Sequence, residues 1–117
     1  MRLRADFWVS AYLRRCAAEE ASAVLRRRGA PEAGAIFVKV DRLDGAAALY
    51  GPAPQSLMSD AAEDGVERLW TRTHEPEWSD PASIEERLRK EIAFDPDLWI
   101  VEVEDRKGRS FLDLAPR

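Results

Sequence analysis

The apolar positions near the beginning of the chain recur with the period of a helix. Asp6 precedes them, and aspartate readily accepts the free amide protons of a first helical turn. The apolar residues that follow have the spacing of one helix face: Val9, Tyr12, Leu13, Cys16 and Ala17. The pattern therefore predicts a first helix that begins at Asp6 and buries this face.

Two interpretations fit the residues that follow. Helix-favouring alanines and glutamates could carry the helix on to Arg28. Alternatively the helix ends near Glu20, and residues 22–28 form a strand that places Arg26 and Arg28 on one face with Val24. We favour the strand, because the next apolar segment needs a neighbour and the intervening loop is short enough to join antiparallel strands.

Four further segments show the alternation or the β-branched content of strands. In chain order they are residues 35–41, 46–50, 66–74 and 98–104. Pro52 is expected to end the second of them, since proline lacks the amide proton that a strand ladder uses. Residues 51–65 are then expected to form a loop with room for one helical turn, and residues 110–112 to pair back on the last strand as a hairpin arm.

A second helix has a recognisable start and stop. Asp80 is a good N-cap and Pro81 suits the first helical position, while Asp95-Pro96 ends the helix. Its apolar residues lie four apart: Ile84, Leu88 and Ile92. Grouped strands with separate helices indicate one α+β domain over residues 1–117, with a mainly antiparallel sheet of about five strands and two helices.

The same periodicities predict which side chains form the core. These residues share the apolar faces of the expected helices and strands: Val9, Leu13, Ile36, Val38, Val40, Leu88, Ile92, Trp99, Val101 and Val103.

Composition narrows the class of protein. No apolar run approaches the ~20 residues that span a bilayer, and no secretory leader is visible at the N-terminus. With Cys16 as the one cysteine, neither an internal disulfide nor a cysteine-based zinc site is expected. The 117 residues carry a net charge of −4, yet residues 1–30 hold seven arginines against three acids. These features predict a small cytoplasmic protein with a basic N-terminal part.

Four segments together resemble a known family. They are DFWVSA at 6–11, GAIFVKV at 34–40, LYGPA at 49–53 and DPDLWIVEVED at 95–105. They are similar to a family of small bacterial proteins described as domain of unknown function 1491, and the resemblance covers nearly the whole chain. It implies a stand-alone cytoplasmic bacterial protein, and it supplies no activity, substrate or catalytic residue.

Candidates for catalysis are few. His74 is the one histidine, and with Glu75 and Glu77 beside it a small enzyme using His74 and nearby carboxylates is the third functional hypothesis. A single histidine with scattered carboxylates is a weak metal signal, because zinc sites need three or four ligands. Cys16 on the apolar helix face is typical of a buried thiol. We therefore expect no metal and no cofactor, and we lean against an enzyme.

Arginines and a tryptophan are the better candidates for binding a partner. The residues selected are Arg14, Arg15, Arg26, Arg28, Trp70 and Arg72. If Arg26 and Arg28 share a strand face, something must offset their repulsion. An internal acid such as Glu102 or Glu104 makes the arginines structural, whereas an external anion makes them a site.

These observations favour a non-catalytic module that binds a protein. The alternative is an RNA or nucleotide binder that uses the N-terminal arginine patch, with tryptophans stacking on bases. A sequence pI of about 5.1 disfavours nucleic acid, since nucleic-acid modules are typically basic. No membrane partner is expected, and the sequence leaves the oligomeric state open.

Overall fold

The computed structural model describes residues 3–54 and 68–116, and within them two helices and five strands. The bounds are α1 Ala5–Ala18, β1 Ser22–Arg27, β2 Ile36–Asp41, β3 Ala47–Pro52, β4 Trp70–Arg72, α2 Pro81–Phe94 and β5 Trp99–Glu104. The predicted α+β class is confirmed, and so is the strand interpretation of the residues after α1.

The sheet has the order β1-β5-β2-β3-β4. Neighbouring strands are antiparallel except β2 and β5, which run parallel. The last strand in the sequence therefore lies inside the sheet, between β1 and β2. The expectation that the strand after α1 pairs antiparallel with the next strand, across the short loop, is wrong, because β5 pairs with both of them and separates them. Strand order depends on contacts between distant segments, which the local pattern does not contain.

The two helices lie on opposite faces of the sheet. On one face, α1 packs Val9, Tyr12 and Cys16 against alternate residues of the central strands. On the other, Ile84 and Leu88 of α2 pack against a second set of apolar strand residues. Strands β2 and β5 are covered by a helix layer on both sides, so nearly all their side chains are buried. None of the ten predicted core residues is exposed, although Leu13 and Ile92 are only half-buried.

The start of α1 differs from the prediction. The helix begins at Ala5, and Asp6 lies inside its first turn, where it pairs with Arg4. The amides of Ala5 and Asp6 donate to the carbonyls of Glu32 and Pro31, at 3.2 and 3.0 Å. Backbone carbonyls of the loop between β1 and β2 therefore accept hydrogen bonds from the first amides of α1, and no N-cap side chain is needed.

A Schellman turn without glycine ends α1. Glu20 has φ +63°, and its amide donates to the Ala17 carbonyl at 3.0 Å. The next amide, of Ala21, reaches back to the Cys16 carbonyl at 2.9 Å. Glycine is the usual residue at the Glu20 position. Its absence made the end of this helix ambiguous in the sequence.

Two strand predictions need correction. β3 continues through Pro52, because its pairing with β2 stops at Tyr50 and the last residues pair only with β4. β4 covers only Trp70–Arg72 instead of 66–74, since the chain turns away after Thr73. Residues 55–67, which hold most of the predicted loop and the start of that strand, lie outside the described residues.

The hairpin arm predicted at residues 110–112 is also wrong. The segment crosses the α1 face and forms a single parallel bridge, between Leu114 and Trp70 of β4. Tyr12 of α1 holds it there by donating its hydroxyl to the Ser110 carbonyl at 2.5 Å. This tertiary contact replaces pairing with β5.

Candidate functional site

Four charged side chains from four elements meet on the α2 face of the sheet. Arg26 of β1 donates to both carboxylate oxygens of Glu85 on α2, at 2.8 and 2.9 Å, and to Glu102 of β5 at 3.1 Å. Lys39 of β2 donates to Glu85 at 2.7 Å, and its Nζ lies 3.8 Å from Glu102. We call these four residues the charge cluster. Its two positive and two negative charges balance.

The cluster changes the titration of its acids. The Arg26 guanidinium, by donating hydrogen bonds, lowers the pKa of Glu85 from 4.5 to about 2; burial opposes the shift and Lys39 adds to it. An internal acid therefore faces Arg26, which is the arrangement expected of a structural arginine. A guanidinium held in this way is not available to an external anion.

Arg26 and Arg28 do not share a strand face, contrary to the prediction. The register between β1 and β5 shifts at a bulge between Leu25 and Arg27. The residues after Arg26 therefore point to the opposite faces of the sheet from those that strict alternation predicts. The Arg28 guanidinium lies over the ring of Trp99, 5.4 Å from its centroid and on the α1 face. The two arginines therefore cannot grip one anion together.

Aromatic side chains from three segments line a groove of about 160 Å³ on the α1 face. The rings of Trp8 and Tyr12, one turn apart on α1, are stacked with centroids 4.8 Å apart and planes 13° apart. The Trp8 ring also meets Trp70 of β4, at 4.8 Å and 38°. Phe111, from the segment after β5, completes the aromatic lining. We call this surface the aromatic groove; its other lining residues are Ala11, Arg15, Leu112 and Asp113.

Backbone hydrogen bonds hold the segment after β5 against the groove. The Trp70 amide donates to the Asp113 carbonyl at 2.9 Å, and the Ala115 amide donates to the Trp70 carbonyl at 2.8 Å. Together with the Tyr12 hydroxyl on Ser110, these bonds fix both ends of the groove wall. The walls are therefore preformed.

Asp105 anchors the beginning of that segment. Its carboxylate accepts the Arg109 amide at 2.8 Å and the Arg109 guanidinium at 2.9 and 3.0 Å. These side-chain hydrogen bonds lower the pKa of Asp105 to about 2. Arg109 also lies 5.0 Å from the ring centroid of Phe111, whose φ of +57° is unfavourable for a bulky residue. Tertiary contacts, and not local preference, place this aromatic ring.

Of the residues selected from the sequence, the structure brings together Arg15 and Trp70. Both line the aromatic groove. Arg15 is exposed and forms no ion pair with any acid in the described part of the chain. Arg14 is also exposed but lies outside the groove lining, and the Nε of Arg72 donates to the His74 carbonyl at 3.0 Å.

Neither His74 nor Cys16 is arranged for catalysis. The His74 Nε2 accepts the Leu49 amide at 3.0 Å, so the ring is neutral and its Nδ1 donates to the Pro76 carbonyl at 2.9 Å. Both ring nitrogens are thus engaged by backbone. Cys16 is fully buried, and that burial raises the pKa of its thiol.

Other candidate features are weaker. A larger depression, of about 470 Å³, lies beside Arg4, Glu32 and Arg68. Arg4 is already paired with Asp6 and Glu32, and Arg68 donates to the Leu3 carbonyl at 2.9 Å. Across residues 3–54 and 68–116, no three histidine, cysteine or acidic side chains come together to hold a metal ion. The same ranges contain no helix with the length and apolar content needed to span a bilayer.

The site residues selected from the sequence do not include three of the groove aromatics, Trp8, Tyr12 and Phe111. Trp8 and Tyr12 did carry a signal, since aromatic residues four apart on a helix are neighbours. Phe111 carried none, because the hairpin prediction placed it against β5.

Comparisons with known proteins agree with the resemblance found in the sequence. The model of the family described as protein of unknown function (DUF1491) matches residues 3–113. A crystal structure of a DUF1491 family protein from Caulobacter crescentus CB15 is 31% identical, with a TM-score of 0.78; the match covers 99% of this chain and 100% of that one. The solution structure of protein Atu0922 from A. tumefaciens is 38% identical, with a TM-score of 0.81 and coverage of 100% and 98%. Among curated proteins, none matches.

Proposed function

This chain belongs to the DUF1491 family of proteins of unknown function, and we propose that it is a non-catalytic module that binds a protein partner through the aromatic groove. One observation carries the proposal. Stacked aromatic rings line a preformed groove, and Arg15 beside them has no acidic partner in the described ranges. Aromatic residues and arginine are the side chains that dominate binding energy at protein interfaces.

The size of the groove indicates what it accepts. Pockets for cofactors and drug-sized ligands measure ~300–1,000 Å³. The aromatic groove, at about 160 Å³, suits a single large side chain. Because Arg15 and Asp113 both lie on its rim, the proposed partner segment carries an apolar anchor with an acid on the Arg15 side and a donor on the Asp113 side.

The nucleic-acid alternative receives less support. It requires several arginines on one surface, whereas Arg26 is engaged in the charge cluster and Arg28 lies over Trp99. Arg15 is the one arginine among the lining residues of the groove. A single arginine beside aromatic rings provides little electrostatic attraction for the phosphate backbone of a nucleic acid.

Selection from a random peptide library on the immobilised protein tests this proposal. We expect enrichment of peptides with an aromatic or large aliphatic residue close to Asp or Glu. Binding of a selected peptide should change the fluorescence of the groove tryptophans. Arg15→Glu should weaken it about tenfold or more, on the scale of ~1.4 kcal/mol for a reversed charge contact. Lys90→Glu, an exposed charge reversal on α2, is the matched control and should leave affinity unchanged.

Two results would contradict the proposal. One is a library that yields no enriched peptide, or peptides that bind Arg15→Glu equally well. The other is tight binding of a labelled single-stranded RNA that survives ~0.3 M salt, because stacking would then supply what screened charges cannot. Nucleic-acid binding that is weak and falls steeply with salt is the expected result.

A further inference from the structure

Within residues 3–54 and 68–116, strand β1 has one edge without a neighbour. It pairs with β5 alone, and every second residue along it is exposed. Val24 is 55% exposed, because α2 packs over the middle of the sheet and not over β1. Within the described residues, the backbone of Ser22–Arg27 makes no hydrogen bond outside its ladder with β5. Such an edge is a template for pairing with another strand.

Proteins usually guard an exposed edge with charged side chains and bulges. Here a bulge disturbs the end of β1, but the arginines beside it are turned back onto the chain. Arg26 is held by Glu85 in the charge cluster. Arg27 donates to the carbonyls of Pro96 and Leu98, at 2.8 and 2.9 Å. The preceding half of the strand, residues 22–25, is therefore left open.

The charges at the two ends of this edge are opposite. Glu19 and Glu20 precede the strand, and Arg28 follows it. Directly opposed residues in an antiparallel pair point to the same face, so two copies can pair with Val24 opposite Val24. This register sets the acidic end of each copy, at Glu20, against the basic end of the other, at Arg28.

From the open edge and its self-complementary charges, we propose that two copies of this chain associate by antiparallel pairing of their β1 strands about Val24. The five-stranded sheets then become continuous across the two-fold axis. Since this register opposes only residues 22–26 of the two copies, the interface belongs to the class below ~1,200 Å², which is typical of weak and transient association. The proposal is independent of the aromatic groove, which lies by β4 at the opposite end of the sheet.

Analytical ultracentrifugation from about 1 µM to about 1 mM, the range of weak dissociation constants, tests the association. The wild-type chain should pass from monomer to dimer within it. Val24→Lys places like charges opposite each other and should raise the dissociation constant at least about tenfold. Phe94→Lys, on an apolar side chain that is 88% exposed elsewhere, is the control and should dimerise like the wild type.

A charge exchange tests the antiparallel register. Glu20→Arg alone and Arg28→Glu alone each oppose like charges and should dimerise poorly. An equimolar mixture of the two variants restores both opposite-charge pairs and should form a heterodimer. A wild-type chain that stays monomeric to about 1 mM, a dimer that Val24→Lys leaves intact, or a mixture that stays monomeric overturns the proposal.

Discussion

The two faces of the sheet differ in how their charged side chains are paired. On the α2 face, Arg26 and Lys39 each meet acids from other elements, and the charge cluster is neutral. On the α1 face the ring of Trp8 packs against those of Tyr12 and Trp70, and Arg15 in the lining of the aromatic groove has no acid paired with it in the described segments. One face has balanced its charges internally, whereas the other leaves a cation beside apolar surface.

The contrast shows that a run of arginines does not define a site. Arg26, Arg27 and Arg28 are adjacent in the chain, yet they bind two acids, two backbone carbonyls and an indole ring respectively. Arg15, which stands outside that run, is the arginine that lines the aromatic groove. Whether an arginine is structural depends on which acids the other elements bring to it.

The largest effect is expected from the aromatic side. Trp70 is 2% exposed and contacts Trp8, so Trp70→Ala should lower the free energy of unfolding by about 3–5 kcal/mol, the cost of removing a large core aromatic. Phe94→Ala, which truncates an exposed aromatic, should change it by less than about 0.5 kcal/mol. Urea unfolding measures both. A loss below about 1 kcal/mol for Trp70→Ala would mean that the stack is not part of the core.

The charge cluster should give the next largest effect, and it should depend on pH. Glu85→Gln leaves Lys39 buried with only Glu102 nearby, at a cost of about 2 kcal/mol, reduced from that of a fully buried pair because Glu85 is partly exposed. Folding depresses the pKa of Glu85 from 4.5 to about 2. Its contribution is therefore complete above the unfolded pKa and is lost as the pH falls through the folded one.

Urea unfolding of wild type and Glu85→Gln from pH 7 to pH 2 measures this dependence. The difference between the two proteins should shrink as the pH falls below 4.5. Glu86→Gln, a neighbour on the exposed side of α2, is the control and should show little difference at any pH. Part of the acid sensitivity should survive in Glu85→Gln, since Asp105 also titrates at about 2. A constant difference across the range contradicts the role given to Glu85.

Truncating single arginines sharpens the contrast between the faces. Arg26→Ala should cost about 1–2 kcal/mol, because it leaves two acids of the cluster with one cation. Arg15→Ala should change stability by less than about 0.5 kcal/mol, as an exposed substitution with no pair to break. Thermal unfolding at neutral pH compares them. Equal losses would show that the distinction between structural and available arginines is wrong.

The smallest effect concerns the end of α1. Glu20→Gly should raise the free energy of unfolding by up to about 1 kcal/mol, because glycine adopts the positive φ of this Schellman turn without strain. Glu19→Gly is the control; this residue has φ −92°, so glycine there should give no gain. The melting temperature, measured at micromolar protein concentration, checks both.

Local signals determined much of the fold in advance. The Asp80-Pro81 start placed α2 correctly, and alternation placed β2 and β5 within a residue or two. Tertiary backbone contacts decided the rest. The pairing of β3 with β2 stops before Pro52, but its pairing with β4 continues to that residue. At α1, the carbonyls of Pro31 and Glu32 accept the hydrogen bonds that an N-cap side chain usually accepts. The propensities of the neighbouring residues predict neither of these two contacts.

The candidate site was less predictable than the fold. The aromatic groove joins Trp8, Trp70 and Phe111 from three distant segments, and the positive φ of Phe111 is imposed by its surroundings. The bulge before Arg27 exchanges the sides of the residues that follow, so an argument from strict alternation assigned Arg28 to the wrong face. Of the residues that line the aromatic groove, only Arg15 and Trp70 are among the site residues predicted from the sequence.

The position of β5 has a consequence for synthesis of the chain. In the part of the chain that the structure describes, β1 has no strand neighbour except β5, and Ser22 pairs with Glu104. During translation both edges of β1 therefore stay without a strand partner until residues 99–104 have been made. The sheet then closes by insertion of its last strand between two earlier ones, a late and non-local step. A chain that stops before residue 99 would lack β5 and would leave both edges of β1 and the facing edge of β2 unpaired, and unpaired strand edges promote aggregation.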